Sequence, residues 1–198
     1  VADGMGGHNS GEIASRIAVD SLQSFWMRTD KDPDATWPFK EEKHLQFHEN
    51  RLATAIKLAN KRIFDEATKS SQYKGMGTTV VCCLYASQKL LFAHIGDSRG
   101  YQIRGGRIAQ ITQDHSLLND FIRNNNPTPE EIKNFPHKNV IVRALGMREF
   151  VQVDLNKVGT KSGDRYVLCS DGLSGFVSDE EILKIALEHD SPQNACDA

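Results

Sequence analysis

An α+β fold built largely on antiparallel strands is what this sequence predicts, and three observations carry that prediction. The first third of the chain holds two long stretches with apolar residues at helical spacing. The period then shortens to apolar and β-branched runs divided by tight-turn signals. The clearest is Gly105-Gly106, set between Tyr101-Gln102-Ile103-Arg104 and Arg107-Ile108-Ala109-Gln110-Ile111, where two glycines supply the positive φ angles of a hairpin turn. Lastly, Ser178-Asp179-Glu180-Glu181 is a capping box that opens a helix carrying Ile182, Ile185, Ala186 and Leu187.

Near the start, Asn9 or Ser10 caps a helix in which Ile13, Ile17, Ala18, Leu22 and Phe25 recur at three and four residues. Glu12 sits in its first turn, where an acid complements the helix dipole. The polar stretch from Thr29 to Asp34 is expected to lie beyond this helix as a surface loop. A second helix, from about His44 to Lys69, lines up Leu52, Ile56, Ala59, Ile63 and Ala67, and a helix of that length should lie across a sheet. Val80-Val81-Cys82-Cys83-Leu84-Tyr85 reads as a strand buried on both faces. A turn at Ser87-Gln88-Lys89 returns the chain into Leu90 to Asp97. From Asp114 to Val140 the period fades, apart from Leu117, Leu118, Phe121 and Ile122, and a short helix begins near Pro129; inserts of this kind are often functional. Order resumes at Val140 to Gly146, a strand is expected around Val151 to Val158, and the turn Lys161-Ser162-Gly163-Asp164 feeds a strand ending at Asp171.

The 198 residues, 39% hydrophobic and 25% charged with a formal net charge of −2, are enough to bury a sizeable core and are read as one domain. Lysines and arginines are scattered among acids, so there is no basic face of the kind that nucleic-acid binding requires. Cys82, Cys83, Cys169 and Cys196 lack zinc-site spacing; the first three lie in apolar runs, where packing in the core is expected, and a reducing compartment fits. No apolar run is long enough to span a membrane, and no signal-peptide pattern is present.

Chemistry is concentrated where apolar runs end in an acid and a small residue. The first is Val1-Ala2-Asp3-Gly4-Met5-Gly6-Gly7-His8, in which a carboxylate and the next, unshielded carbonyl can be aimed at one point. Oxygen donors on a turn suit magnesium or manganese rather than zinc. Alone, Asp-Gly also reads as ordinary turn punctuation. Recurrence strengthens the metal reading: Ile95-Gly96-Asp97-Ser98 and Cys169-Ser170-Asp171-Gly172 end two further runs. Three acids gathered at one sheet edge would repel one another unless a cation neutralised them. A nucleotide cradle is a poorer fit, because no Gly-Lys-Ser/Thr follows the glycines.

Six motifs in one order, Asp3-Gly4-Met5-Gly6-Gly7-His8, Gly77-Thr78-Thr79, His94-Ile95-Gly96-Asp97-Ser98-Arg99, Asp114-His115-Ser116, Arg143-Ala144-Leu145-Gly146 and Ser170-Asp171-Gly172, resemble the metal-dependent serine/threonine protein phosphatases of the PPM, or type 2C, family, most closely its bacterial branch. The resemblance implies two antiparallel sheets packed as a sandwich, helices on both outer faces, and a flap over about residues 116–139. It implies two manganese or magnesium ions, with Asp3 bridging them, Gly4 offering its carbonyl, Asp171 binding one, and Asp97 helping to hold a third, weaker ion. It also implies hydrolysis of phosphoserine and phosphothreonine by a water between the two ions, on protein substrates of a serine/threonine kinase, by a cytoplasmic monomer. A noncatalytic binding or regulatory domain is the alternative, and the retained acids favour the enzyme. Met5 stands where some members have a histidine proposed as general acid, and that role is not transferred to His8. The family's phosphate-binding arginine and a closing Asp-Asn fall outside these residues, so the sequence is expected to be incomplete at both ends and inactive by itself.

Overall fold

The computed structural model describes residues 1–6, 10–32 and 34–198. The expected cap at Asn9 and the reading of His8 therefore lie outside the described residues. After the short strand β1 (Gly4–Met5) come two helices, α1 (Ser10–Lys31) and α2 (Phe47–Lys69). The strands β2 (Gly77–Thr78), β3 (Val80–Ala86), β4 (Lys89–Ile95), β5 (Arg99–Arg104) and β6 (Arg107–Gln110) follow. Helices α3 (Leu117–Asn125) and α4 (Pro129–Asn134) interrupt them before β7 (Asp154–Gly159) and β8 (Arg165–Cys169). The chain closes with α5 (Asp171–Ser174), α6 (Asp179–Glu188) and α7 (Pro192–Asp197).

The strands form two three-stranded antiparallel sheets, ordered β3-β4-β7 and β6-β5-β8, and β1 pairs with β2 beside them. Helices α1 and α2 bury Ala14, Ala18, Leu52, Ile56, Ala59 and Ile63 against Val80, Leu91, Ala93 and Ile95 of the first sheet. On the second sheet, Ile182 of α6 packs on Tyr101 and Cys169. Phe92 and Tyr166, whose ring centroids are 6.0 Å apart, join the two sheets on their facing sides. The result is the helix, sheet, sheet, helix order that the resemblance implied.

Local signals are obeyed closely. Ser87 and Gln88 (φ 52° and 59°) and Gly105 and Gly106 (φ 55° and 71°) make the hairpin turns. Capping boxes open α4 at Thr128 with Glu131 and α6 at Ser178 with Glu181.

Four expectations need correction. Helix α1 runs on through Thr29 to Lys31, because Arg51 of α2 reaches its last turn. The Arg51 guanidinium donates to Thr29 Oγ1 and to the Trp26 carbonyl, each at 2.9 Å, and lies 3.8 Å from the Trp26 ring centroid. Second, β3 is buried at Val80 and Val81 and then alternates, leaving Tyr85 63% exposed. Third, Cys83 shares that outward face and is exposed, so it is not a core residue; Cys169 is buried. Fourth, β7 begins at Asp154, since its ladder with β4 starts at the His94–Asp154 pair, while Val151 and Val153 pack on the core without a partner strand.

Candidate metal centre

Asp3 is held by its backbone. Its N–H donates to Thr79 Oγ1 (3.0 Å), and its carbonyl accepts from Thr79 N–H and Thr78 Oγ1 (2.9 Å each). Thr79 Oγ1 lies 2.6 Å from Ser98 Oγ, and Ser98 follows Asp97, so two of the three acid turns are tied by one buried hydroxyl pair. Next to Asp3, a Cβ on Gly4 would lie 1.9 Å from the Gly11 carbonyl oxygen; only glycine lets β1 pack against the first turn of α1.

Asp97 follows Gly96, where a φ of +103° and the 2.6 Å that would separate an added Cβ from Thr79 Cγ2 exclude any side chain. Asp171 is the first residue of α5. The structure brings Asp3 and Asp171 to hydrogen-bonding distance, and the charges of both act on Asp97. Burial, then a hydrogen bond and the charge of Asp171, raise Asp3 above the usual carboxylate range, while Ser170 pulls the other way. Burial and the Asp171 charge push Asp97 up to about 6, with Asp114 and Asp3 adding to it. The charges acting most strongly on these two groups are all acidic. An all-oxygen set of mutually repelling acids, without a basic partner among the described residues, suits hard divalent cations, so these residues fit manganese or magnesium.

A second acidic region lies immediately beside them. Asp114 takes a bidentate pair from Arg99, with Nε at 3.1 and 3.0 Å and Nη2 at 2.7 Å, and Arg99 Nη1 also donates to the Tyr101 hydroxyl. Asp154 accepts from Arg143 Nη1 at 2.7 Å and lies 3.2 Å from His115 Nε2. The His115 hydrogen bond outweighs burial and, with Arg143, holds Asp154 down at about 2.

His94, His115 and Asp154 bring three ligand-type atoms within 4.8 Å, but their geometry opposes a metal. The two imidazoles are stacked with an interplanar angle of 19°, so their in-plane lone pairs run nearly parallel instead of converging. His115 Nδ1 accepts the Gly96 N–H at 3.0 Å, which puts the ring proton on Nε2, facing Asp154. His94 Nε2 is engaged by the Gln113 carbonyl at 2.8 Å. Such a constellation is largely a hydrogen-bonded network, with His94 Nδ1 left as its one buried ring nitrogen without a partner among the described residues.

Sequence reasoning singled out Asp3, Gly4, Asp97 and Asp171. It did not assign roles to Thr79, Ser98, His115, Arg143 or Asp154. All but Asp154 lie inside the quoted motifs, so their positions were visible while their partners were not. The expected excursion appears as α3 and α4, closed at its root by the Ser116–Ile141 bridge and by Leu117 N–H to Val140 O and Val142 N–H to His115 O, both 2.9 Å. Among the described residues, no helix is long and apolar enough to cross a membrane.

The family described as Protein phosphatase 2C matches residues 1–191. The serine/threonine phosphatase Stp of Listeria welshimeri is 37% identical over 191 residues, covering 93% of this chain and 70% of that protein. The serine/threonine phosphatase of S. agalactiae superposes with a TM-score of 0.83 at 33% identity, over 99% of this chain and 76% of that one. The catalytic domain of the phosphatase PstP, crystallised in complex with two manganese ions, gives 0.77 at 35% identity over 99% and 76%.

Proposed function

The chain belongs to the protein phosphatase 2C family, and on that premise we propose that it hydrolyses phosphoserine and phosphothreonine in proteins with manganese or magnesium held by Asp3, the Gly4 carbonyl and Asp171, Asp97 helping to hold a third, weaker ion. The observation that carries this reading is the Asp3–Asp171 contact with the Asp97 carboxyl raised by the charge of both, and no basic partner for any of the three among the described residues. When bound, two divalent cations supply an activated water and neutralise charge on the phosphoryl oxygens. The chain's own residues orient and hold. Thr78 and Thr79 fix the Asp3 backbone, the Thr79–Ser98 pair sets its distance to the Asp97 turn, and α5 presents Asp171 from its first residue. No thiol is needed: burial drives Cys82 up to about 12, far from a nucleophilic thiolate.

Residues 1–198 are proposed as a single phosphatase domain with its flap at about 116–139, acting as a cytoplasmic monomer on phosphoproteins made by a serine/threonine kinase. Full-length protein is expected to hydrolyse a small aryl phosphate only with manganese or magnesium. Asp171→Asn should lower turnover by about a thousandfold. Steady-state assays before and after exhaustive chelation check both, and turnover that persisted without divalent cations would refute the reading.

A further inference from the structure

His115 stands at the root of the flap, one residue before the cap of α3, yet both of its polar ends reach back to Gly96. Its backbone N–H donates to the Gly96 carbonyl at 3.0 Å, and its Nδ1 accepts the Gly96 N–H at 3.0 Å. The glycine is thus gripped on both sides of its Cα, immediately before Asp97. The side chain is 7% exposed, so neither bond competes with bulk water.

An imidazole can accept at Nδ1 only if its single proton sits on Nε2, and the structure enforces that tautomer. Asp154 Oδ2 lies 3.2 Å from Nε2 and accepts that proton, while Arg143 Nη1, also 3.2 Å from Nε2 and a donor only, is directed to the other Asp154 oxygen at 2.7 Å. Arg143 and Val142 come from the far end of the flap, where Val142 N–H returns to the His115 carbonyl at 2.9 Å. Both flap ends therefore close on one residue, whose backbone N–H holds the carbonyl of the Gly96–Asp97 peptide and whose ring holds the peptide just before it.

We propose that His115 is a positioning residue for the metal centre: its two-bond grip on Gly96, with the ring tautomer locked by Asp154 and Arg143, sets the direction of the Asp97 carboxylate and couples the root of the flap to it. The inference rests on reading Asp97 as a metal ligand. Partners that orient ligating groups characteristically change metal affinity by 10–100-fold when removed. His115 acts through hydrogen bonds to the preceding peptide, so the loss should appear in ion binding and not in aryl phosphate KM once metal is saturating.

Manganese titration calorimetry on the full-length protein tests this, with the weakest binding step as readout. His115→Phe, which keeps the bulk and loses both ring nitrogens, should weaken that step about 10-fold. His115→Asn places an amide oxygen where Nδ1 lies and should recover affinity to within about threefold of the parent. Should His115→Phe fail to fold, Asp154→Asn, which leaves the grip but frees the tautomer, should still weaken binding by roughly threefold. Asp97→Asn is measured in parallel and must weaken the same step. Native affinity in Asp97→Asn would overturn the ligand reading and this inference with it. Weakening there, combined with native affinity in His115→Phe or in Asp154→Asn, or an Asn variant as weak as the Phe variant, would overturn the positioning role alone.

Discussion

Two acidic regions touch in this protein and behave in opposite ways. Around Asp3, Asp97 and Asp171 the acids repel one another, and burial with the Asp171 charge pushes Asp97 up to about 6. A few residues away, Asp114 and Asp154 each meet an arginine, and Asp154 is held at about 2. Burial raises both Asp97 and Asp154; what differs is the partner, since the His115 hydrogen bond and the Arg143 charge lower Asp154 while neighbouring acids raise Asp97 further. The contrast separates acids that complete the fold from acids that fit a cation. It also explains how mutually repelling acids can be tolerated: the paired region supplies the rigidity on which the unpaired one is mounted.

The contrast can be broken from either side. The largest stability effect is expected on the paired side. Arg99→Ala would strand Asp114, which is 12% exposed, and should cost about 3 kcal/mol in urea unfolding. A smaller effect of opposite sign belongs to the unpaired side. Asp97→Asn removes one repelling charge, so metal-free protein should gain about 1 kcal/mol in the same measurement while losing manganese affinity. The smallest effect concerns acid. Because the folded state depresses Asp154 from 3.8 to about 2, its contribution is complete above pH 3.8 and is lost as pH falls through about 2. With its side chain 35% exposed, that contribution should stay below about 1 kcal/mol. Asp154→Asn should therefore flatten the acid limb of stability against pH and leave the slope above pH 5 unchanged. An equal loss of stability at every pH would mean that packing, not charge, is what Asp154 provides.

Much of this was legible in the residues themselves. The glycine turn at 105–106, the capping boxes at Thr128 and Ser178, and the apolar stripe of α2 are short-range matters, settled by backbone sterics and by hydrogen bonds spanning three or four residues. The aspartates announced themselves because each ends an apolar run in a small residue. Reading β3 as buried on both faces failed at Cys83 and Tyr85, since composition records that a run is apolar and not what lies against each face. Helix α1 outlasted its sequence signal because Arg51, 25 residues beyond Trp26, holds its end through the Trp26 carbonyl and the Thr29 hydroxyl.

What the sequence by itself determined is the set of local elements and the identity of the candidate ligands. Tertiary structure alone decided that Asp3 meets Asp171, that Thr79 joins Ser98, and that His115 grips Gly96 while Arg143 and Asp154 hold its tautomer. Those contacts join groups from separate strands and loops, and no periodicity encodes them: they exist only once burial of the helices and sheets against each other has fixed where each turn must stand.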